Sequence, residues 1–124
     1  MRLADDVWQV IVDTLARFDG IKCPPGLREY VEEHTQITPF DGGAFVADGN
    51  EFDLFVVPEK RGKWAIRKEI NQFLVKLAQE HSKAVVKIHE DNTRSFRLAI
   101  GFGFLPVGKN NRNKIILERP LWVT

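Results

Sequence analysis

The stretch from Ile37 to Leu77 restricts the fold of this chain more than any other. Between Ile37 and Val57 the apolar runs are short and are broken twice, at Asp41-Gly42-Gly43 and at Asp48-Gly49-Asn50. Both breaks are made of turn residues, so the stretch is predicted as three strands, the third from Phe52 to Val57 and rich in Phe and Val. Pro58 stops that strand, because it has no N–H to give a ladder. Beyond it Ile66, Ile70, Phe73, Leu74 and Leu77 fall on one stripe of a long helix. Strands followed by an amphipathic helix call for a layered α/β arrangement in which the helix covers the sheet.

The flanking segments extend the pattern. Val7, Val10, Ile11, Leu15 and Phe18 recur at helical spacing, with Asp5 or Asp6 available as a cap and Gly20 as a stop. After the turn Pro24-Pro25-Gly26, a shorter and very polar helix is expected through Leu27, Tyr30 and Val31. Downstream, Ala84 to Ile88 reads as a short strand. Asp91 or Asn92 then caps a helix that reaches Ile100 and stops at Gly101-Phe102-Gly103, where Gly103 suits a left-handed cap. Phe104 to Val107 and Lys114 to Leu117 are expected to pair across the polar loop between them. The apolar end, Arg119 to Thr124, reads as a strand completing the sheet, with a docked tail or a partner contact as the other readings.

Composition narrows the function classes. A chain of 124 residues suits a single domain over residues 1–124. It has nine Phe and three Trp for a core, enough to bury roughly two-thirds of the unfolded surface. The formal net charge of +1 provides no global attraction to nucleic acid or anionic lipid. The single cysteine, Cys23, excludes an internal disulfide and a cysteine-rich metal site, and suits a reducing compartment. No signal-peptide pattern opens the chain and no apolar run is long enough to span a bilayer. The expectation is a cytoplasmic protein with no membrane partner.

Two segments can carry chemistry. The first, Pro58 to Lys68, contains Lys60, Arg61, Lys63, Arg67 and Lys68 and lies where a strand turns into a helix. Unpaired N–H groups and the positive end of a helix dipole suit phosphate there, while a solvated basic helix start is the plain alternative. A nucleic-acid contact through the same residues, with Trp64 stacking, is disfavoured by the balanced charge. The second segment, Asp91 to Phe104, combines an Asn after a strand, Ser95 three residues on, Leu98 six on, and Gly103-Phe104 eleven on.

Taken in order, these segments resemble the GNAT superfamily of acetyl-CoA-dependent N-acetyltransferases. Leu54-Phe55-Val56-Val57-Pro58-Glu59-Lys60-Arg61-Gly62-Lys63 is similar to the family's strand and acyl-CoA loop, Leu-x-Val-x-Pro-x-x-Arg-Gly-x-Gly-x-Gly. Asn92 to Phe104 is similar to its later Asn-x-x-Ala-x-x-Leu-Tyr-x-x-x-Gly-Phe. The resemblance covers roughly residues 37–118, and the family's usual first strand is not evident. It implies a GNAT-like α/β (α+β) fold, a mixed central sheet of about five to six strands flanked by about four helices. It implies acetyl-CoA as cofactor and an amine as acceptor. Val56 and Val57 would pair with the pantetheine arm, and the N–H groups of Arg61, Gly62, Lys63, Trp64, Ala65 and Ile66 would hold the diphosphate. Asn92 would bond the pantetheine, with Ser95 beside it. Glu51 and Asp53 are the candidate bases on the third strand, and His89 ends the following one, near where an acceptor would sit. Asp53 alternates with Phe52 and Leu54, so its face depends on the geometry of the sheet.

Three positions depart from the family. Trp64 and Ile66 stand where the loop has glycine, whose missing Cβ lets a diphosphate approach. Ala99 stands at the tyrosine that protonates the departing thiolate, a step contributing ~10²–10⁴-fold. The short GNAT-like proteins of tailed bacteriophages are also similar, in compact length, a degenerate loop and a segment like Asn92 to Leu98. That likeness implies a second reading, a scaffold without catalysis that works through protein partners in particle assembly.

Overall fold

The protein, described by a computed structural model over residues 2–62 and 64–122 with the side chains of residues 64 and 65 left out, follows these turns and stripes closely. The elements run α1 (Asp5–Thr14), α2 (Leu27–His34), β1 (Gln36–Phe40), β2 (Gly43–Asp48), β3 (Glu51–Val56), α3 (Trp64–Ala78), β4 (Lys83–His89), α4 (Thr93–Gly101), β5 (Leu105–Lys109) and β6 (Lys114–Pro120). They form one six-stranded sheet in the order β1-β2-β3-β4-β6-β5. All neighbours are antiparallel except β3 and β4, so the sheet is mixed. No helix among the described residues is long and apolar enough to cross a membrane.

Strand alternation gives the sheet two apolar faces. Phe45, Phe52, Val56, Ala84, Val86 and Leu117 pack beneath Ile70, Phe73, Leu74 and Leu77 of α3 and Ala99 of α4. The rings of Phe45 and Phe73 stack at 4.1 Å, and Phe52 meets both edge-on. On the opposite face Ile37, Ala44, Val46, Phe55 and Val57 pack against Leu3, Val7, Val10 and Ile11, closed at the side by Val31 of α2. Gly43 permits the first hairpin: a Cβ there would lie 2.6 Å from the Phe55 carbonyl oxygen.

Differences from expectation are local. Ala4 occupies the N-cap of α1, and Asp5 and Asp6 sit in the first turn instead. Arg28 draws Asp5 into an ion pair at 2.9 Å, which removes it from capping duty. The first helix continues past Thr14 as a π-helical turn, Leu15–Asp19, before Gly20 ends it in the left-handed conformation (φ 63°). A short 3₁₀ turn, Pro58–Lys60, follows β3. β6 is longer than predicted: it takes in Arg119 and Pro120, buries Leu121 in the core and leaves Trp122 exposed. Val123 and Thr124 lie outside the described residues.

Candidate functional site

The two parallel strands are joined only at their amino ends. Glu51 stands opposite Val85, the Val85 N–H donates to the Asn50 carbonyl at 2.9 Å, and Asn50 Nδ2 donates to the Lys83 carbonyl at 3.0 Å. No pairing continues beyond this point, so the carboxyl halves of β3 and β4 border a gap in the sheet. The Val57 N–H donates to Gly42 at 2.8 Å, which directs the odd-numbered residues of β3 toward β2. By alternation the backbone groups of Leu54 and Val56 face the gap. Val57 therefore points away from it, contrary to the pairing expected of that residue. The Val56 carbonyl is met by Arg61, whose Nε donates to it at 3.0 Å.

The same alternation decides which side chains flank the gap. Phe52 and Val56 belong to the face under α3, so Glu51, Asp53 and Phe55 belong to the face under α1. On β4, Val86 and Ile88 pack under α3, so Lys87 and His89 share the side with Asp53. Beyond Phe55 the apolar packing gives way to a ladder of charge. Lys87 Nζ pairs with Glu51 at 2.9 Å, and Lys114 Nζ pairs with Asp19 at 3.3 Å, bringing in the end of the π-helical turn. His89 and Lys114 are register partners across β4 and β6.

Asp53 lies among these charges. Burial, the largest cause, pushes its carboxyl up to about 6 from 3.8; Glu51 and Asp19 push the same way, while Lys114 and Lys87 oppose. Yet the residue itself is exposed. The accessible surface shows that water reaches the carboxylate, so the direction of the shift holds while its size is reduced. Solvent access makes the full shift an upper bound.

His89 keeps a mostly buried side chain at the end of β4. Its Nδ1 accepts the Asp91 N–H at 3.1 Å, which puts the proton of the neutral ring on Nε2, and its ring lies 5.9 Å from that of Phe18. Asn92 caps α4 through Oδ1, accepting the Ser95 N–H at 3.3 Å, as the sequence pattern allowed. In the basic segment, the Arg61 N–H is spent on Pro58 at 3.2 Å, and Gly62 is exposed in a left-handed turn (φ 75°). Lys63 and the side chains of Trp64 and Ala65 lie outside the described residues; α3 begins at Trp64. Ile66 and Ala99 are both buried in the core under α3 and α4.

The structure thus brings Glu51, Asp53 and His89 to one face beside the gap. It adds residues that the sequence did not single out: Asp19, Lys87 and Lys114. Lys87 was legible as a neighbour of His89 on an alternating strand, but Asp19 and Lys114 meet only through the fold. Among the described residues no group of His, Cys, Asp or Glu could hold a metal. A surface depression of about 520 Å³ lies elsewhere, between the first residues and α2. Within it Arg28 donates to the Leu3 carbonyl at 2.6 Å and pairs with Asp5, and Glu32 accepts the Leu3 N–H at 2.6 Å, which ties the amino end to α2.

No protein-family model and no curated protein sequence matches this chain. Solved structures do. An acetyltransferase of the GNAT family from Staphylococcus aureus aligns with a TM-score of 0.67 at 13% identity, covering 98% of this chain and 97% of that one. Spermidine N-acetyltransferase from Vibrio cholerae, in complex with CoA and spermine, aligns with 0.65 at 16% identity over 98% and 94%. A GNAT superfamily phosphinothricin acetyltransferase from Sinorhizobium meliloti, in complex with acetyl-CoA, aligns with 0.67 at 16% identity over 97% and 85%. At such identities the likeness is one of fold, and this chain has the fold of the GNAT acetyltransferases.

Proposed function

We propose that this protein is an acetyl-CoA-dependent N-acetyltransferase in which Asp53 is the general base. The observation that carries the reading is Asp53 itself, an accessible carboxylate raised to about 6, beside the gap where β3 and β4 part. Such a group is charged at neutral pH and still basic enough to take a proton from an ammonium ion, directly or through one water. Glu51 is a weaker candidate, because its carboxylate is held by Lys87. His89 keeps its Nδ1 occupied by the Asp91 N–H, which suits a role in shaping the acceptor site.

Acetyl-CoA would supply a thioester-activated acetyl group. The residues present fit its pantetheine arm: Leu54 and Val56 offer backbone partners along the gap, and the Nδ2 of Asn92 stands at the adjoining end of α4. At Val56 a ligand amide would share the carbonyl with the Arg61 side chain or displace it. Residue 99 has no proton to give a leaving thiolate, so water or Ser95 remains for that part. The neighbour solved with CoA and spermine supports an amine as the acceptor class.

One observation favours the second reading, a catalytically silent bacteriophage scaffold acting through protein partners. Arg61 already occupies the Val56 carbonyl. Calorimetric titration with acetyl-CoA and CoA separates the two. Binding near micromolar strength, about −8 kcal/mol, followed by acetylation in an amine screen that is lost in Asp53→Asn, supports the enzyme. No heat at millimolar ligand with an unchanged melting temperature overturns it in favour of the scaffold.

A further inference from the structure

The charges on the Asp53 side of the sheet cancel in pairs. Lys87 Nζ holds Glu51 at 2.9 Å, and Lys114 Nζ holds Asp19 at 3.3 Å. Asp53 shares their side of the sheet with neither a hydrogen bond nor an ion pair among the described residues. Asp19, Glu51 and Asp53 against Lys87 and Lys114 leave one negative charge, and the carboxylate without a partner carries it. Asp91, a further acid at the end of β4, lies 3.8 Å from His89 Nδ1, but its side chain is 79% exposed, where water screens it.

The π-helical turn brings an aromatic ring to the same place. Phe18 and Asp19 are consecutive on that turn, and the residues they meet, His89 and Lys114, are register partners across β4 and β6. The Phe18 ring lies 5.9 Å from the His89 ring, next to the Asp19–Lys114 pair at 3.3 Å. Two adjoining contacts thus dock the turn on the sheet, and Phe18 is placed as firmly as the ion pair is. Counted from the Glu51–Val85 register, Asp53 is level with Lys87, and His89 lies two residues, about 7 Å, further along the strand direction. An ammonium held by Asp53 therefore has a half-buried phenyl and imidazole pair within reach of a short carbon chain. A second ammonium on the same molecule would meet Lys87, Lys114 and Arg17, whose guanidinium lies 5.1 Å over the Phe18 ring.

We propose that the acceptor is a primary amine with a single positive charge and an aromatic or apolar group a short carbon chain away, and that Phe18 is the side chain that selects it. The inference deepens the acetyltransferase reading and rests on Asp53 receiving the acceptor's ammonium. One unpaired carboxylate matches one ammonium. A polyamine brings further charges for which this face has no free carboxylate, and each would be set beside lysines already in place, which selects against it.

The test compares kcat/KM for acetyl transfer to phenethylamine and to spermidine. Any change in the base acts on both amines, so their ratio reports recognition. The wild type is expected to favour phenethylamine about tenfold, and Phe18→Ala to lose most of that preference through a higher KM for phenethylamine. Phe18→Leu, which keeps an apolar side chain in place, should lose part of it and stands in if the alanine variant does not fold. Lys87→Met, which frees Glu51, should shift the ratio about fivefold toward spermidine. Lys83→Gln, which breaks the Lys83–Glu118 pair at the far end of β4 and β6, should leave the ratio unchanged. A wild type that prefers spermidine, or equal loss on both amines in the Phe18 variants, overturns the inference and leaves the acetyltransferase reading standing. If neither amine is acetylated, that reading falls, and melting temperature in millimolar amine at constant ionic strength decides the rest. Phenethylamine that stabilises the wild type more than the Phe18 variants keeps the amine site, and no difference between them removes it.

Discussion

Replacing Asp53 with Asn should make the protein more stable at pH 8 while slowing turnover by orders of magnitude. Asp53 carries a charge that its surroundings oppose, since burial raises its carboxyl from 3.8 to about 6. A carboxyl raised in the folded state holds a proton at pH values where the unfolded chain has released it. Stability therefore falls as pH rises from 3.8 to about 6; the full cost is present above that window and none of it below. At 1.36 kcal/mol per unit the ceiling is about 3 kcal/mol. Because the residue is exposed, solvent screening reduces this to about 1 kcal/mol. Asn keeps the shape and removes the charge. Urea unfolding followed by tryptophan fluorescence at pH 8 should show a midpoint ~0.5 M higher in the variant. At pH 4 the difference should shrink strongly, because the carboxyl is then protonated in the folded protein and that pH lies close to the unfolded value of 3.8, near the bottom of the window. Acetyl transfer should fall ~10²–10⁴-fold, the contribution of a general base. A variant less stable than wild type at pH 8, or a difference that does not change with pH, refutes the account of Asp53 as a charge held against its surroundings.

Other outcomes follow from neighbouring residues. The pH profile of kcat/KM should show an acidic limb near 6, and Lys114→Met should move that limb upward by removing the largest charge that opposes the shift. Asn92→Ala should cost about 1 kcal/mol through loss of the α4 cap, seen as a melting temperature lower by about 3–5 °C. Asn92→Asp should restore the cap but not the amide donor, so acetyl-CoA affinity should fall in both variants while stability falls in one. Phe73→Ala should remove the ring stacked on Phe45 and cost about 3–5 kcal/mol, which equilibrium unfolding will register as loss of much of the folding free energy.

Much of the secondary structure was legible because its causes are short-ranged. The stripe Ile66-Ile70-Phe73-Leu74-Leu77 became the buried side of α3, and the two glycine turns became the hairpins of the meander. Asn92 caps α4, and Gly103 has the left-handed backbone expected of it (φ 87°). The N-cap position falls on Ala4: Arg28, far along the chain, holds Asp5, while Asp6 accepts the Val7 N–H of the first turn at 2.8 Å. The π-helical turn at the end of the first helix had no local signal either, yet it carries Arg17, Phe18 and Asp19 to the rim of the gap.

By itself, the sequence determined which segments become strands and helices, where they turn, and the ordered motifs that resemble a GNAT scaffold. Periodicity, glycine turns and caps act over a few residues, so their chemistry can be read along the chain. Only the tertiary structure decided the direction of Asp53. Alternation fixes that Glu51, Asp53 and Phe55 share a side, but which side depends on the face of the sheet that α1 covers. The field around Asp53 is likewise a product of folding: Asp19, Lys87 and Lys114 come from different elements and meet there only once α1 and β6 are in place. Electrostatic effects depend on distance through space and on the water removed between charges, and neither is written in the spacing of residues.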